Sequence, residues 1–381
     1  MIVTRSALLR TAVLVLAIGH APAARAQSNL SVQGLGYPPG QLSTQAKTMG
    51  GSIGEADALS PLNPAATGLL SSAILMFVAE PEYRTVNVLG TKQKTSVSRF
   101  PVFVGALPLG SKWAVGVSAS TLLDRTWETT ARDSQVIDTD TVRFTRLQSS
   151  DGSLADLRFS FAFTPWTWLK LGVAAHGITG RDVLITQQTF DDTARFAQNS
   201  EATTLSFGGH AFSAGAHALK PRLGAIGVSY RHGGRLNIYE GDNTVGRGFA
   251  PDRMGVSVIY LGIAGTALAA RVARDDWSRL EGSSATLSIH EGLDVGVGAD
   301  VTGPTYGGGP MSIRAGGRWR TLPFSANGVP VKEATASGGF AFPMARGDVQ
   351  LNFGVLRSWR RAGPGVSETA WTYSTGFALR P

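Results

Sequence analysis

The sequence predicts an all-β protein, a transmembrane antiparallel β-barrel of about 14 strands with an N-terminal plug segment. Three observations carry that reading. Segments of roughly ten residues alternate apolar with small or polar side chains, and the links between them alternate short and long. Beyond the extreme N-terminus no run approaches the roughly 18 apolar residues of a transmembrane helix. The nearest, "GTALAARVA", is short and interrupted by Arg271.

The chain opens as a secretory signal peptide would. Arg5 and Arg10 form a basic start, Thr11 to Gly19 a short apolar run, and Ala24 to Ala26 a small-residue cleavage site before Gln27. Residues 1–26 are therefore expected to be removed, which takes away three arginines and lowers the net charge from +8 to +5. No Lys/Arg block of the nucleic-acid-binding kind remains. Cysteine is absent, which excludes disulfides and thiolate metal sites. With 47 glycines, 43% hydrophobic residues and a mean hydropathy near zero, the composition fits a wall whose two faces cancel.

Residues 27–70 form the expected plug, and 71–381 the barrel. The leader has no alternation and contains "GLGYPPGQ", "MGGSIGEAD" and "DALSPLNPAATGL". A barrel of this size leaks unless filled. Prolines would give the filling a set shape without helix or ladder hydrogen bonds.

Fourteen strand candidates follow between residues 73 and 379. In "KWAVGVSAS" Trp113, Val115 and Val117 oppose Ala114, Gly116 and Ser118; in "LADLRFSFAF" Leu157, Phe159 and Phe161 oppose Asp156, Arg158 and Ser160. The small inward residues suit close approach of an internal segment. "LPLGSK", "TPWTW", "ALKPR", "LGIAG" and "PMARG" read as short turns, and 123–152, 179–201 and 234–251 as long loops. The count stays even if "SIHEGLDVGVGAD" is one bulged strand near 285–301, and becomes fifteen if Glu291-Gly292 is a turn. Trp113, Trp166, Trp168, Trp319, Trp359 and Trp371 fall near strand ends, where an interfacial girdle forms. Alternation slips at Gly208 to His210 in the sixth strand, a candidate kink.

The signal peptide, the leader and the alternating strands together resemble the FadL-like family of outer-membrane transporters for hydrophobic compounds. Asn63, Pro64 and Ala65 match that family's Asn-Pro-Ala element at the end of its hatch. The build is also similar to that of PorV-like barrels. The resemblance implies a bacterial outer-membrane location and passive uptake of hydrophobic or amphipathic, long-chain fatty-acid-like molecules. Its alternative is a structural or secretion-attachment barrel with protein partners. Asn63 to Ala65 would either gate or merely end the hatch. The chain departs from the pattern at its end, "TGFALRP", where a terminal aromatic residue is usual.

Catalytic-looking strings lack their context. "GGSIG" sits in the leader without the strand and helix of a nucleophile elbow, and "GALPLGSK" has its last letters exchanged relative to a P-loop. His210 and His217 are seven apart on a strand and should point apart. No enzyme activity, metal or cofactor is expected. The lumen is the candidate site. Alternation turns Arg314, Arg318, Arg320, Arg158 and Lys170 inward, with Arg231 and Arg271, facing Asp156, Asp294, Asp300 and Asp348. On the lipid face each charge would cost about 2–4 kcal/mol at the midplane. These cations either pair with the aspartates and with leader residues Glu55 and Asp57, or receive a substrate carboxylate.

Overall fold

The computed structural model describes residues 36–88, 90–137, 140–283, 289–306, 309–326, 329–363 and 365–380. The expected signal peptide and leader residues 27–35 lie outside the described residues.

Sixteen strands occur among the described residues. They are β1 Ile74–Val88, β2 Thr91–Leu109, β3 Trp113–Asp124, β4 Trp127–Ile137, β5 Asp140–Trp166, β6 Leu169–Phe190, β7 Asn199–Lys220 and β8 Gly224–Glu240. The second half holds β9 Asn243–Phe249, β10 Asp252–Ile263, β11 Thr266–Asp276, β12 Gly292–Tyr306, β13 Gly309–Ala326, β14 Val329–Met344, β15 Val349–Arg361 and β16 Val366–Leu379. Fourteen close an antiparallel barrel: β3 bonds β5, β8 bonds β10, and β16 returns to β1 from Leu75↔Leu379 to Val88↔Val366. β4 and β9 pair only with β5 and β8 and stand outside the ring.

Alternation decides which face each side chain takes. Val117 and Phe159 are 52% and 57% exposed, while their neighbours Ser118 and Ser160 are 7% and 2% exposed. A closed wall with this much outward apolar surface requires lipid. The closing strand keeps the rule: Phe377 packs on Phe77 with ring centroids 5.4 Å apart, both on that outer face.

Three expectations need correction. The links 123–152, 179–201 and 234–251 are mostly strand, not loop: β5, β6 and β7 run to 27, 22 and 22 residues, far beyond the roughly 9–11 that cross a bilayer. Their ends project beyond the bilayer, where no lipid requires one face to be apolar; a few apolar side chains there, Val142, Phe144 and Phe190, pack on one another instead. The expected strand 285–301 begins instead at Gly292, and no turn at Glu291-Gly292 adds a strand. The slip expected at Gly208–His210 occurs at that level, but the extra residue belongs to the partner: Gly209 pairs Leu236 and Ala211 pairs Gly233, so the bulge lies in β8. His210 points out and His217 is buried inward, as their spacing required.

Candidate functional site: the lumen and the segment inside it

Described leader residues 36–70 lie within the ring. The segment is not free of helix as the prolines suggested. Helix α1, Thr44–Thr48, starts at Ser43, whose hydroxyl accepts from the Ala46 amide, and a 3-10 turn spans Pro64–Leu69. At that turn Asn63 is the cap. Its Oδ1 accepts from the Ala65 amide at 3.0 Å, and Pro64 takes the first position, where its missing N–H leaves nothing unpaired.

From α1 to this turn the leader circles the inner wall, passing β16 to β12, then β10 and β8, then β7 to β3. The wall receives it on glycines. A methyl group built on Gly316 would lie 2.2 Å from the Gly50 nitrogen, and one on Gly298 2.3 Å from the Met49 oxygen. At Gly227 the distance to the Glu55 oxygen is 2.3 Å, at Gly215 to Asn63 Oδ1 2.0 Å, and at Gly172 to the Ala65 nitrogen 2.4 Å. Backbone packs on backbone, so even alanine does not fit at these positions.

Buried charge ties the two together. Glu55 accepts from Arg253 at 2.6 Å, Arg271 at 2.7 Å and Ser257 at 2.8 Å, and Arg271 continues to Asp294 at 2.8 Å. Burial pushes the Glu55 carboxyl up, and Arg271 and Arg253 outweigh it, holding it at about 2. Lys47 donates to both oxygens of Glu80, at 2.6 and 2.5 Å. Tyr37 bridges backbone-to-backbone with Asp124, and its ring lies among four guanidiniums, from 4.6 Å for Arg360 to 5.8 Å for Arg84. Its hydroxyl donates to Glu333 at 3.1 Å and accepts from Arg320 and Arg360.

The arginines singled out from sequence are not gathered into one pocket. Arg314 bonds Asp300 and Asn352, Arg318 bonds Asp294, and Arg320 bonds Glu333, Tyr37 and the Pro38 carbonyl. Lys170 stands near the short-turn end and reaches the Thr167 carbonyl at 3.3 Å. Asp57 bonds within the leader, to Ser43, Ser60 and the Leu59 amide, and Asp348 sits in a short turn. Arg158 differs. It is buried, and its Nε and Nη1 have no partner; nor has the hydroxyl of Ser118, which faces it across β3–β5. Sequence reading missed Tyr37, Gln41, Lys47, Arg99, Arg253 and Arg360. Inward alternation through "RSWRR" would have found Arg360.

Cavities of about 50 and 30 Å³ lie between leader and wall, lined by charged residues together with apolar ones such as Leu42, Leu62 and Leu356. Ligand sites typically need about 300–1,000 Å³. At this level leader and wall pack closely, and neither cavity reaches that size. Beyond it, towards the long hairpins, the inner surface becomes apolar: Leu154, Ile178, Phe207 and Leu236 cluster with Leu123 and with Trp277 from the turn Trp277–Ser283. Above Val102, β2 shares its ladder with β1 alone, which leaves a seam beside β3 and β4 that the Arg99–Asp124 pair spans at 2.5 Å.

These features define a class, the transmembrane barrel whose lumen is filled by a segment of its own chain. Solved structures place it more closely: in fold the chain is FadL-like. It is similar to a Pseudomonas aeruginosa FadL homologue at 14% identity and a TM-score of 0.62, over 91% of this chain and 99% of that one. It is similar to the Pseudomonas putida toluene transporter TodX at 12% identity and 0.59, over 90% and 99%. The Ralstonia pickettii toluene transporter TbuX matches at 15% identity and 0.53, over 89% and 98%. No protein-family model and no curated protein sequence matches.

Proposed function

We propose that the protein is an outer-membrane channel for passive uptake of hydrophobic or amphipathic small molecules, with leader residues 27–70 as its hatch. The observation that carries this is the apolar cluster at the long-hairpin end of the lumen, on the far side of the level where buried ion pairs tie the leader to the wall. The hairpin end of an outer-membrane barrel is extracellular, so that cluster is where an apolar solute would leave water first. The relatives named for toluene transport and as a FadL homologue support the same reading. The cavities beside the leader are small, so in this reading passage uses movement of the leader or widening of the seam above Val102. Asn63, Pro64 and Ala65, seated on wall glycines, form the pivot of that movement in this reading.

Arg158 is the residue assigned to an anionic head group, with Lys170 nearer the outlet. Arg158 lies four residues below Leu154 on β5, a rise of about 14 Å, so a medium-length alkyl chain bound there reaches the apolar cluster. Arg158→Gln is expected to lower uptake of a radiolabelled long-chain carboxylate several-fold, with toluene uptake and urea stability little changed. The stability is spared because Nε and Nη1 give up no protein hydrogen bond. Uptake in cells lacking the protein, compared with complemented cells, tests the whole reading. Equal rates, together with co-purification of a stable protein partner, would replace transport by partner binding.

A further inference from the structure

A second charge pattern lies on the outer wall. Around β8 to β12, cations at the long-hairpin end meet carboxylates: Arg274 pairs with Glu291, and both Arg279 and His232 pair with Asp252. On the adjacent strands β14, β15, β16, β1 and β2 the acids turn inward instead. Glu80, Glu82, Glu333 and Glu368 are all buried there and paired with Lys47, Arg99 or Arg360. Lys332, Arg357 and Arg361 therefore stand on the outer face with no acid between them, and Lys92 and Lys94 extend the row across β2.

Their placement is specific. Lys332 is directly opposite Arg361 in the β14–β15 ladder, and like charges so placed repel and weaken the pair. Arg357 lies four residues further down β15 on the same face, its guanidinium 4.8 Å from the Trp371 ring and 5.9 Å from Trp359. Ala334 pairs with Trp319 on one side and Trp359 on the other, so its small side chain floors an open groove of about 660 Å³ with Lys332 and Arg361 at the rim. A tryptophan belt marks the membrane interface. The groove is thus at headgroup height, on the extracellular leaflet.

We propose that this groove binds a phosphate group of the phosphorylated glycolipid that forms the outer leaflet of an outer membrane. A phosphate lying between Lys332 and Arg361 removes their repulsion and accepts paired guanidinium donors, while the tryptophans pack on the sugar and acyl roots. The site is independent of the lumen and of what crosses it.

The test uses the full chain in detergent with three probes: bisphosphorylated lipid A, the same lipid after phosphatase treatment, and inorganic phosphate. Native mass spectrometry and thermal shift should show tight binding of the first alone. The variant K332Q/R357Q/R361Q should lose about ten-fold or more in affinity, and R274Q, three strands away on β11, should lose nothing. Should the triple variant fail to fold, R361Q alone should lose a smaller factor in the same direction. Three results would each overturn the proposal: undiminished binding in the variants, equal binding of the dephosphorylated lipid, or a response to inorganic phosphate that matches the lipid's.

Discussion

Gly316→Val is expected to open the lumen. The added Cβ would lie 2.2 Å from Gly50 N and from the Met49 carbonyl carbon, which are backbone atoms with no rotamer to escape into. β13 cannot retreat, because it is laddered to β12 and β14 through this level. The leader must give way. Overpacking of this kind costs about 1–3 kcal/mol, more where backbone is struck. The measurement is conductance of the purified protein in planar bilayers, together with entry of a bulky polar antibiotic into cells. Wild type should be nearly silent, and the variant should conduct while keeping the compact, heat-modifiable band of a folded barrel. Gly317→Val, one residue along, is the control, since a Cβ there meets nothing within 4 Å. A silent Gly316 variant with its leader still protected from protease would sink the idea that these glycines hold the segment in place.

The second large effect is expected at Glu55. Glu55→Leu leaves Arg253 and Arg271 facing a carboxylate that is no longer there. Removing one partner from a buried ion pair costs about 3–5 kcal/mol. Arg271 keeps Asp294 at 2.8 Å and Arg253 keeps Asp275 at 3.5 Å, which places the effect at the lower end of that range. Urea unfolding in detergent reads it directly. The pH dependence has a definite sign. The folded value of about 2 lies below the ordinary 4.5, so Glu55 stabilises fully above pH 4.5 and its contribution fades as pH falls from there toward about 2. Other acids titrate in the same window, so the readout is the difference between wild type and Glu55→Leu. That difference should shrink on acidification. A constant difference would mean that the carboxylate's charge is not what holds the leader.

The fourteen strands of the ring and the facing of the residues within them could be read from the sequence, because a membrane wall imposes one simple rule: apolar out, small or polar in; β4 and β9, outside the ring, could not. The rule fails where the membrane ends. The upper reaches of β5, β6 and β7 have no lipid beside them, and segments such as Trp127–Ile137 therefore look like loop although they are strand. The lumen was legible by sign but not by partner. Alternation turns Arg314, Arg318 and Arg320 inward, yet whether they await a ligand depends on which carboxylates lie opposite, and pairings such as Arg320 with Glu333 depend on ladder register. Tyr37 escaped notice for a different reason. It belongs to a leader without periodicity, and only the closed ring brings Arg84, Arg99, Arg320 and Arg360 around one phenol.

The glycine seats also say where this protein can vary. The leader's trace is imprinted on the inner surface as missing side chains, a mould whose shape is kept by absence. A survey of all single substitutions should therefore draw that trace unaided: intolerant points stepping obliquely around the cylinder from Gly376 on β16 to Gly172 on β6, each flanked along its own strand by permissive lipid-facing neighbours.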